Sequence, residues 1–378
     1  MAGPLDAERI MEETLVSAST IAWLAFAVGA VFGFVANRTS FCTMGAVSDI
    51  VTMGDWSRMR MWVMAIAVAI LGTTALQLAG LLDVSKSIYT SSKLIWLSHL
   101  VGGLSFGVGM TLASGCGSKT LIRIGGGNLK SLVVFAFLGI SAYMTLRGLF
   151  AVWRVRFLDT VATELPHSQD IPAFMAASGI APTTALMLGT AVIGGGLLLW
   201  ALANRDAWRA DVLLGGALIG ATVVAAWYVS GHVGYVVEHP ETLEEAFIAT
   251  NSGRAESLTF VAPFAYTLEL LMLWSDSSRI VTFGIASALG VIAGAAAYAV
   301  FSGSFRIEGF RDPADLVRHM AGGVLMGFGG VTALGCSIGQ GITGLSTLAL
   351  GSVISTVAII AGAALTLKLQ YWLMMREA

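Results

Sequence analysis

The chain has 378 residues, 56% of them apolar and only 12% charged, with a mean hydropathy of +0.81 and a formal net charge of −2. Soluble domains carry about 25% charged residues, so this chain has too little polar surface for a soluble globule and reads as an integral membrane protein with several helices. The pI of 6.2 excludes the basic footprint of a nucleic-acid binder.

In chain order, residues 1–17 form a polar segment with Asp6, Glu8, Glu12 and Glu13 against Arg9. It lacks the basic start and small-residue cleavage site of a secretory signal, so the apolar run after it is expected to stay as a membrane helix. Runs long enough to cross a ~30 Å hydrocarbon core fall at 18–36, 61–82, 129–150, 183–203, 210–229, 280–301 and 347–373. Between them lie shorter apolar stretches at 41–54, 94–115, 259–274 and 319–338, which read as half-helices, re-entrant segments or interfacial helices. Two loops look soluble, 154–182 and 231–257. The second holds Glu238, Glu241, Glu244, Glu245 and Glu256 against Arg254 alone. A loop so poor in Lys and Arg tends to face away from the cytoplasm.

The chain repeats itself. His99 to Gly117, "HLVGGLSFGVGMTLASGCG", aligns without gaps on His319 to Ser337, "HMAGGVLMGFGGVTALGCS", with eight of nineteen positions identical. Small-residue bias can match glycines by chance, but it does not align two of five histidines and two of three cysteines at one offset. The same offset of 220 residues carries 61–82 onto 281–302 and sets Phe41 and Cys42 against Val261 and Ala262, where no thiol stands. The expected fold is an all-α integral membrane protein. It is a polytopic helical bundle of two homologous halves, each with a re-entrant Gly-Cys loop and half-helices, and about 7–9 transmembrane helices in all. The expected division is a polar segment 1–17, membrane repeat 18–150, a connecting segment 151–209 with one extra helix, and membrane repeat 210–378 including the acidic loop. Duplicated halves with broken helices are a transporter or channel architecture. Parallel and inverted halves both remain open.

Three cysteines, Cys42, Cys116 and Cys336, form no CxxC pair and have no nearby histidine, which argues against a structural zinc site. Gly115, Gly117 and Gly335 flank two of them. Irregular backbone at membrane depth is tolerated only where it is buried in protein or lines a polar path. The plainer reading makes the glycines packing residues and the thiols small hydrophobes, yet the paired stretches are more polar than packing requires. Lys119 and Arg123 come after Cys116, and Arg38 precedes Cys42. They either draw an anion towards the thiols or mark a cytoplasmic boundary. The second copy has Gly339 and Thr343 in place of Lys119 and Arg123. "GGGN" at Gly125 to Asn128 lacks the phosphate-loop pattern and reads as a turn. His99 and His319 read as hydrogen-bonding groups at a half-helix start, with proton handling as the alternative. Methionines do not cluster with the cysteines, so no copper route is read. Thiols are weak donors and soft, polarizable partners, so a row of them in a dry passage suits a sulfur-containing anion.

The stretches "NRTSFCTMGAVSDI", "GMTLASGCGSKTLIRIGGGNLKS" and "TALGCSIGQGITGLSTLALGS" resemble the YeeE/YedE family of sulfur-transport membrane proteins, over residues 18–150 and 210–373. The resemblance implies uptake of thiosulfate or a related sulfur anion across a bacterial inner membrane. It implies that Cys42, Cys116 and Cys336 relay the ion along a central constriction by transient S–H···S hydrogen bonds, flanked here by Arg38, Lys119, Gly115, Gly117 and Gly335. Segments 151–209 and 231–257 carry none of these motifs. Some members are tied to selenium metabolism and some work beside small TusA-like sulfur carriers, so a selenium compound as cargo and such a carrier on the cytoplasmic side stay open. A different class is a membrane sulfurtransferase or redox enzyme carrying a cysteine persulfide. That needs a thiolate of lowered pKa, which Lys119 would favour, but there is no resolving CxxC and no cofactor motif. The sequence thus reads as a transporter, without enzymatic activity, cofactor or metal.

Overall fold

A computed structural model describes residues 17–204, 208–239, 243–276, 279–310 and 312–377. Asp6, Glu8, Arg9, Glu12, Glu13 and Glu241 lie outside the described residues. The first half runs through α1 (Ala18–Arg38), α2 (Thr43–Met53), α3 (Ser57–Leu78), α4 (Trp96–Leu112), α5 (Gly117–Gly125), α6 (Leu129–Arg147) and α7 (Leu149–Phe157). Next come α8 (Ile171–Ala177), α9 (Pro182–Leu202), α10 (Ala210–Val233), α11 (Ala262–Met272), α12 (Phe283–Phe301), α13 (Pro313–Thr332) and α14 (Leu350–Glu377). α9 and α10 each include a π-helical turn, at Thr190–Gly194 and Val229–Val233. Side-chain caps set several starts: Ser17 accepts from Thr20 N–H, Asn128 from Ser131 N–H and Asp312 from Ala314 N–H.

Among the described residues, eight helical stretches are long and apolar enough to cross a membrane. Seven overlap the expected runs. The eighth, Trp96–Gly125, spans 30 residues and includes the stretch 94–115, which on its own reads as too short to cross. The difference has a simple cause. α5 follows the 17-residue α4 after a four-residue turn and lengthens the stretch, whose mean hydropathy of 1.3 is the lowest of the eight. The span of α9 is 28% buried and lies at the periphery, whereas those of α3, α4–α5 and α12 are each 61% buried and form the centre.

α1 packs on α12, α3 on α10, α4 on α14 and α6 on α13, while α4 and α13 cross at the heart of the bundle. Glycines permit that crossing. A Cβ on Gly109 would lie 2.7 Å from the Gly322 carbonyl oxygen, one on Gly322 would lie 2.7 Å from the Gly109 carbonyl oxygen, and Gly102 meets Gly329 in the same way. Only residues without a side chain allow backbones this close.

Two ends of the bundle differ. At one end, Lys130 pairs with Asp315 (2.7 Å) and Asn128 bonds Glu308 (2.8 Å), joining the starts of α6 and α13. At the other, Phe283 N–H donates to Ala249 O and Leu350 N–H to Gln169 O. That second end also carries two short antiparallel ladders, β1 (Lys93–Leu94) with β2 (Thr163–Glu164) and β3 (Tyr235–Val236) with β4 (Ala246–Phe247). Lys86 reaches Glu245 and Tyr235 across them, which holds the Glu245 carboxyl below the usual carboxylate range. α4 and α5 together lead from the ladder end to the Asn128 end. The Gly-Cys stretch of the first copy is the four-residue break between these two helices.

Candidate functional site

Each cysteine stands between the end of one helix and the start of the next. Two residues before each thiol the chain takes a positive φ, at Ser40 (52°), Ser114 (55°) and Leu334 (59°). None of these is glycine, and a left-handed non-glycine residue costs about 1–2 kcal/mol, so each is held there by its surroundings. The next amide reaches back five residues: Phe41 to Ala36 (3.0 Å), Gly115 to Met110 (2.8 Å) and Gly335 to Gly330 (2.7 Å). These bonds close the preceding helix.

At two of the three turns the thiol then caps the next helical turn. Gly45 N–H donates to Cys42 Sγ (3.4 Å) and Gly339 N–H to Cys336 Sγ (3.3 Å), whereas Cys116, at the start of α5, makes no side-chain cap hydrogen bond. Helix starts ordinarily take Ser, Thr, Asp or Asn as the cap. Sulfur is a weak acceptor, so cysteine in all three places gives up stability that serine would supply. Its presence calls for a reason other than folding.

All three thiols are free and buried, with Cys116 and Cys336 fully inaccessible. Cys42 and Cys116 are close enough to act on one another electrostatically, as are Cys116 and Cys336. Cys116 Sγ is 3.3 Å from Ser118 Oγ, and Ser337 Oγ, in the residue after Cys336, is buried with no hydrogen-bond partner. The three turns thus meet at one place. Thr43 Oγ1, directly after Cys42, is buried there with no hydrogen-bond partner. Gly117 lies against the Phe260 carbonyl, 2.7 Å from where a Cβ would sit, so the second half of the chain closes over the first thiol turn. Gly115 and Gly335 back onto Lys119 and Gln340 respectively.

Positive charge gathers on one side of this meeting point. Lys119 is half-buried and acts electrostatically on Cys42 and Cys116, with Arg123 and Arg58 beside it. Arg58 also pairs with Asp49 of α2 (3.1 Å) and covers Gly45. Arg38 does not join them and is exposed in the last turn of α1. Arg58, which sequence reasoning does not single out, sits sixteen residues after Cys42 and is brought in by the fold of α2 back onto α3. His99 Nδ1 bonds Ser355 Oγ (2.7 Å) and His319 Nδ1 bonds the Asp315 carbonyl (2.8 Å), the hydrogen-bonding role expected of them. Among the described residues, no group of three or more His, Cys, Asp and Glu is placed to hold a metal ion.

On the ladder side, a cavity of about 180 Å³ reaches inwards from Tyr89, Arg154, Asn251 and Glu256 to Thr259, Leu334 and Gly335, the residue before Cys336. Sequence reasoning misses it. Its wall is built from α7, the segment before α4 and the 231–257 loop, which share no pattern that marks them as neighbours.

The profile of the sulphur-transport family matches residues 38–365, a range that holds all three thiol turns. The chain belongs to that family. The matched range also includes 151–209 and 231–257, which lack the cysteine motifs. Among curated relatives, the thiosulfate transporter TsuA of Spirochaeta thermophila is 28% identical over 347 residues, covering 90% of this chain and 96% of the relative. The thiosulfate transporter TsuA of Escherichia coli is 29% identical over 337 residues, covering 83% of this chain and 84% of the relative. The protein is a multi-pass sulfur-transport membrane protein.

Proposed function

We propose that this protein takes up thiosulfate, or a closely related sulfur anion, across the bacterial inner membrane through the meeting point of Cys42, Cys116 and Cys336. The observation that carries the reading is the placement of cysteine at three converging helix starts, all buried and all free, with Cys42 and Cys336 capping the turn that follows. At each turn the thiol hydrogen is a weak donor suited to a soft sulfur atom. The first amides and the positive end of the next helix offset the anion's charge. An ion held this way is bound by several weak contacts and no tight one, which lets it move on from thiol to thiol.

The Lys119, Arg123 and Arg58 side is read as cytoplasmic and the ladder side as external, since basic residues favour the inner face and the ladder side carries the acidic loop. On this reading the halves are inverted: α4 starts at the ladder end and α13, its sequence counterpart, starts at the opposite end. Such halves, each with a broken helix at the membrane interior, are a recurring transporter plan. A TusA-like sulfur carrier would meet the basic side, and a selenium compound would fit the same soft contacts. No enzymatic step is assigned.

The decisive experiment is uptake of radiolabelled thiosulfate by cells lacking other routes, with wild type beside Cys116→Ala. Uptake by wild type and loss in the variant, at equal protein in the membrane, is the expected result; unimpaired uptake by the variant removes the thiol path.

A further inference from the structure

The outer cavity plays no part in the thiol relay, yet its chemistry is specific. At about 180 Å³ it is large enough for a small oxyanion, and its floor is Gly335, next to Cys336. Two polar atoms in its wall are buried without hydrogen-bond partners: Arg154 Nε, which stands 3.6 Å from Asp159, too far for a hydrogen bond, and Asn251 Oδ1. An unmet guanidinium donor in a cavity that leads to the thiols is what an arriving anion would use.

Glu256 stands in the same wall and opposes that use. Its Oε1 accepts from the Ser252 amide (2.9 Å) and hydroxyl (2.5 Å). Among the described residues no cation forms an ion pair with it. Arg154 faces Asp159, and Arg254 donates to the Ser87 carbonyl (3.2 Å). The other groups turned towards it are Tyr89, from the segment before α4, and Tyr266 of α11. Behind Tyr266, Arg147 and Arg279 are both engaged with Glu269. Burial pushes the Tyr89 phenol up, so Tyr89 brings no charge at ordinary pH. Ionised, Glu256 sets a lone negative charge against a dianion in a small cavity. Protonated, it removes the repulsion and offers a donor.

We propose that Glu256 is a proton-operated gate on the outer cavity: the anion occupies the cavity only when this carboxyl carries a proton, so a proton arrives with the anion. The gate rests on the uptake reading above. It adds the residue that links transport to external pH. Burial raises the Glu256 carboxyl above the usual carboxylate range, which brings its proton within reach of mildly acidic surroundings.

The test is initial thiosulfate uptake by the full chain in proteoliposomes, with external buffer varied between about pH 5 and about pH 8 and wild type beside Glu256→Gln. Thiosulfate stays doubly ionised throughout, so any slope belongs to the protein. Wild-type uptake should fall about tenfold per pH unit above its midpoint, while Glu256→Gln, which has no proton to lose, should transport at a rate independent of pH. Ser252→Ala gives a second handle on the exposed rim. Removing the hydroxyl that stabilises the charged carboxylate should move the midpoint to higher pH with the acid plateau unchanged. The gate is overturned if Glu256→Gln keeps the wild-type slope, or if Ser252→Ala leaves the midpoint where it was. Absence of uptake by wild type at every pH overturns the transport reading itself, and the gate with it.

Discussion

The turns at Cys116 and Cys336 are built alike and furnished differently. Each has a left-handed residue two places before the thiol and a bond reaching five residues back, and at Cys336 the sulfur also accepts the amide three places on. Beyond that point they part. The first continues as the regular helix α5, with Lys119 and Arg123 on it. The second continues as a π-helical turn, Gly339–Gly344, fully buried and without a cation, where Gln340 folds back to the Ala333 carbonyl (2.5 Å). The backbone device is common property and the electrostatics belong to one side. What the two turns share holds the thiols; what they do not share is the charge that gives the proposed path its direction.

The largest effect should come from what they share. Cys336→Ser keeps, and even improves, the cap on the Gly339 amide, and Cys116→Ser supplies a cap that α5 lacks, because a hydroxyl is the better acceptor. Both remove the soft sulfur. Thiosulfate uptake is expected to fall to background in each, while the thermal midpoint of the purified protein stays the same or rises. A serine variant that transports normally would mean that the cap, and not the sulfur, is what the site requires.

A smaller effect should come from what they do not share. Lys119→Met keeps the length and apolar stem of the side chain and removes its charge. Uptake should drop about tenfold, in the range by which local charge raises an ion's concentration at a cleft. Raising ionic strength should narrow the gap between variant and wild type. Lys119→Arg should restore most of the rate. Equal uptake by Lys119→Met and wild type would leave the asymmetry of the two turns without a function.

How far this site can be read from the sequence depends on what kind of information each part carries. The membrane spans are legible because hydrophobicity over some twenty residues is a local property, and the two Gly-Cys turns are legible because a second copy repeats them. The break at Cys116 is legible as a polar interruption, because hydropathy reports polarity but not the path the chain takes through it. Cys42 has no repeat partner and is found through the family motif. Nearness in sequence favours Arg38 over Arg58, and here it is a poor guide to nearness in space. The outer cavity is invisible in the sequence, since Tyr89, Arg154 and Glu256 come from three separate segments and meet only through the packing of loops.

The smallest effect tests the backbone itself. A Cβ on Gly115 would meet the Lys119 Cβ and Cγ at 3.2 Å, atoms of a long side chain that can shift. A Cβ on Gly335 would meet the Gln340 amide nitrogen at 3.1 Å and the Gly339 carbonyl carbon at 3.2 Å, which are main chain and cannot shift without moving the cap on Cys336. Neither glycine has a positive φ, so the two substitutions differ in crowding and not in backbone preference. Gly335→Ala should therefore cost about 1–3 kcal/mol, whereas Gly115→Ala should stay within about 0.5 kcal/mol of wild type. Thermal unfolding of the two purified variants reads the difference directly. A larger loss in Gly115→Ala would show that the first turn, for all its exposed charge, is held as rigidly as the second.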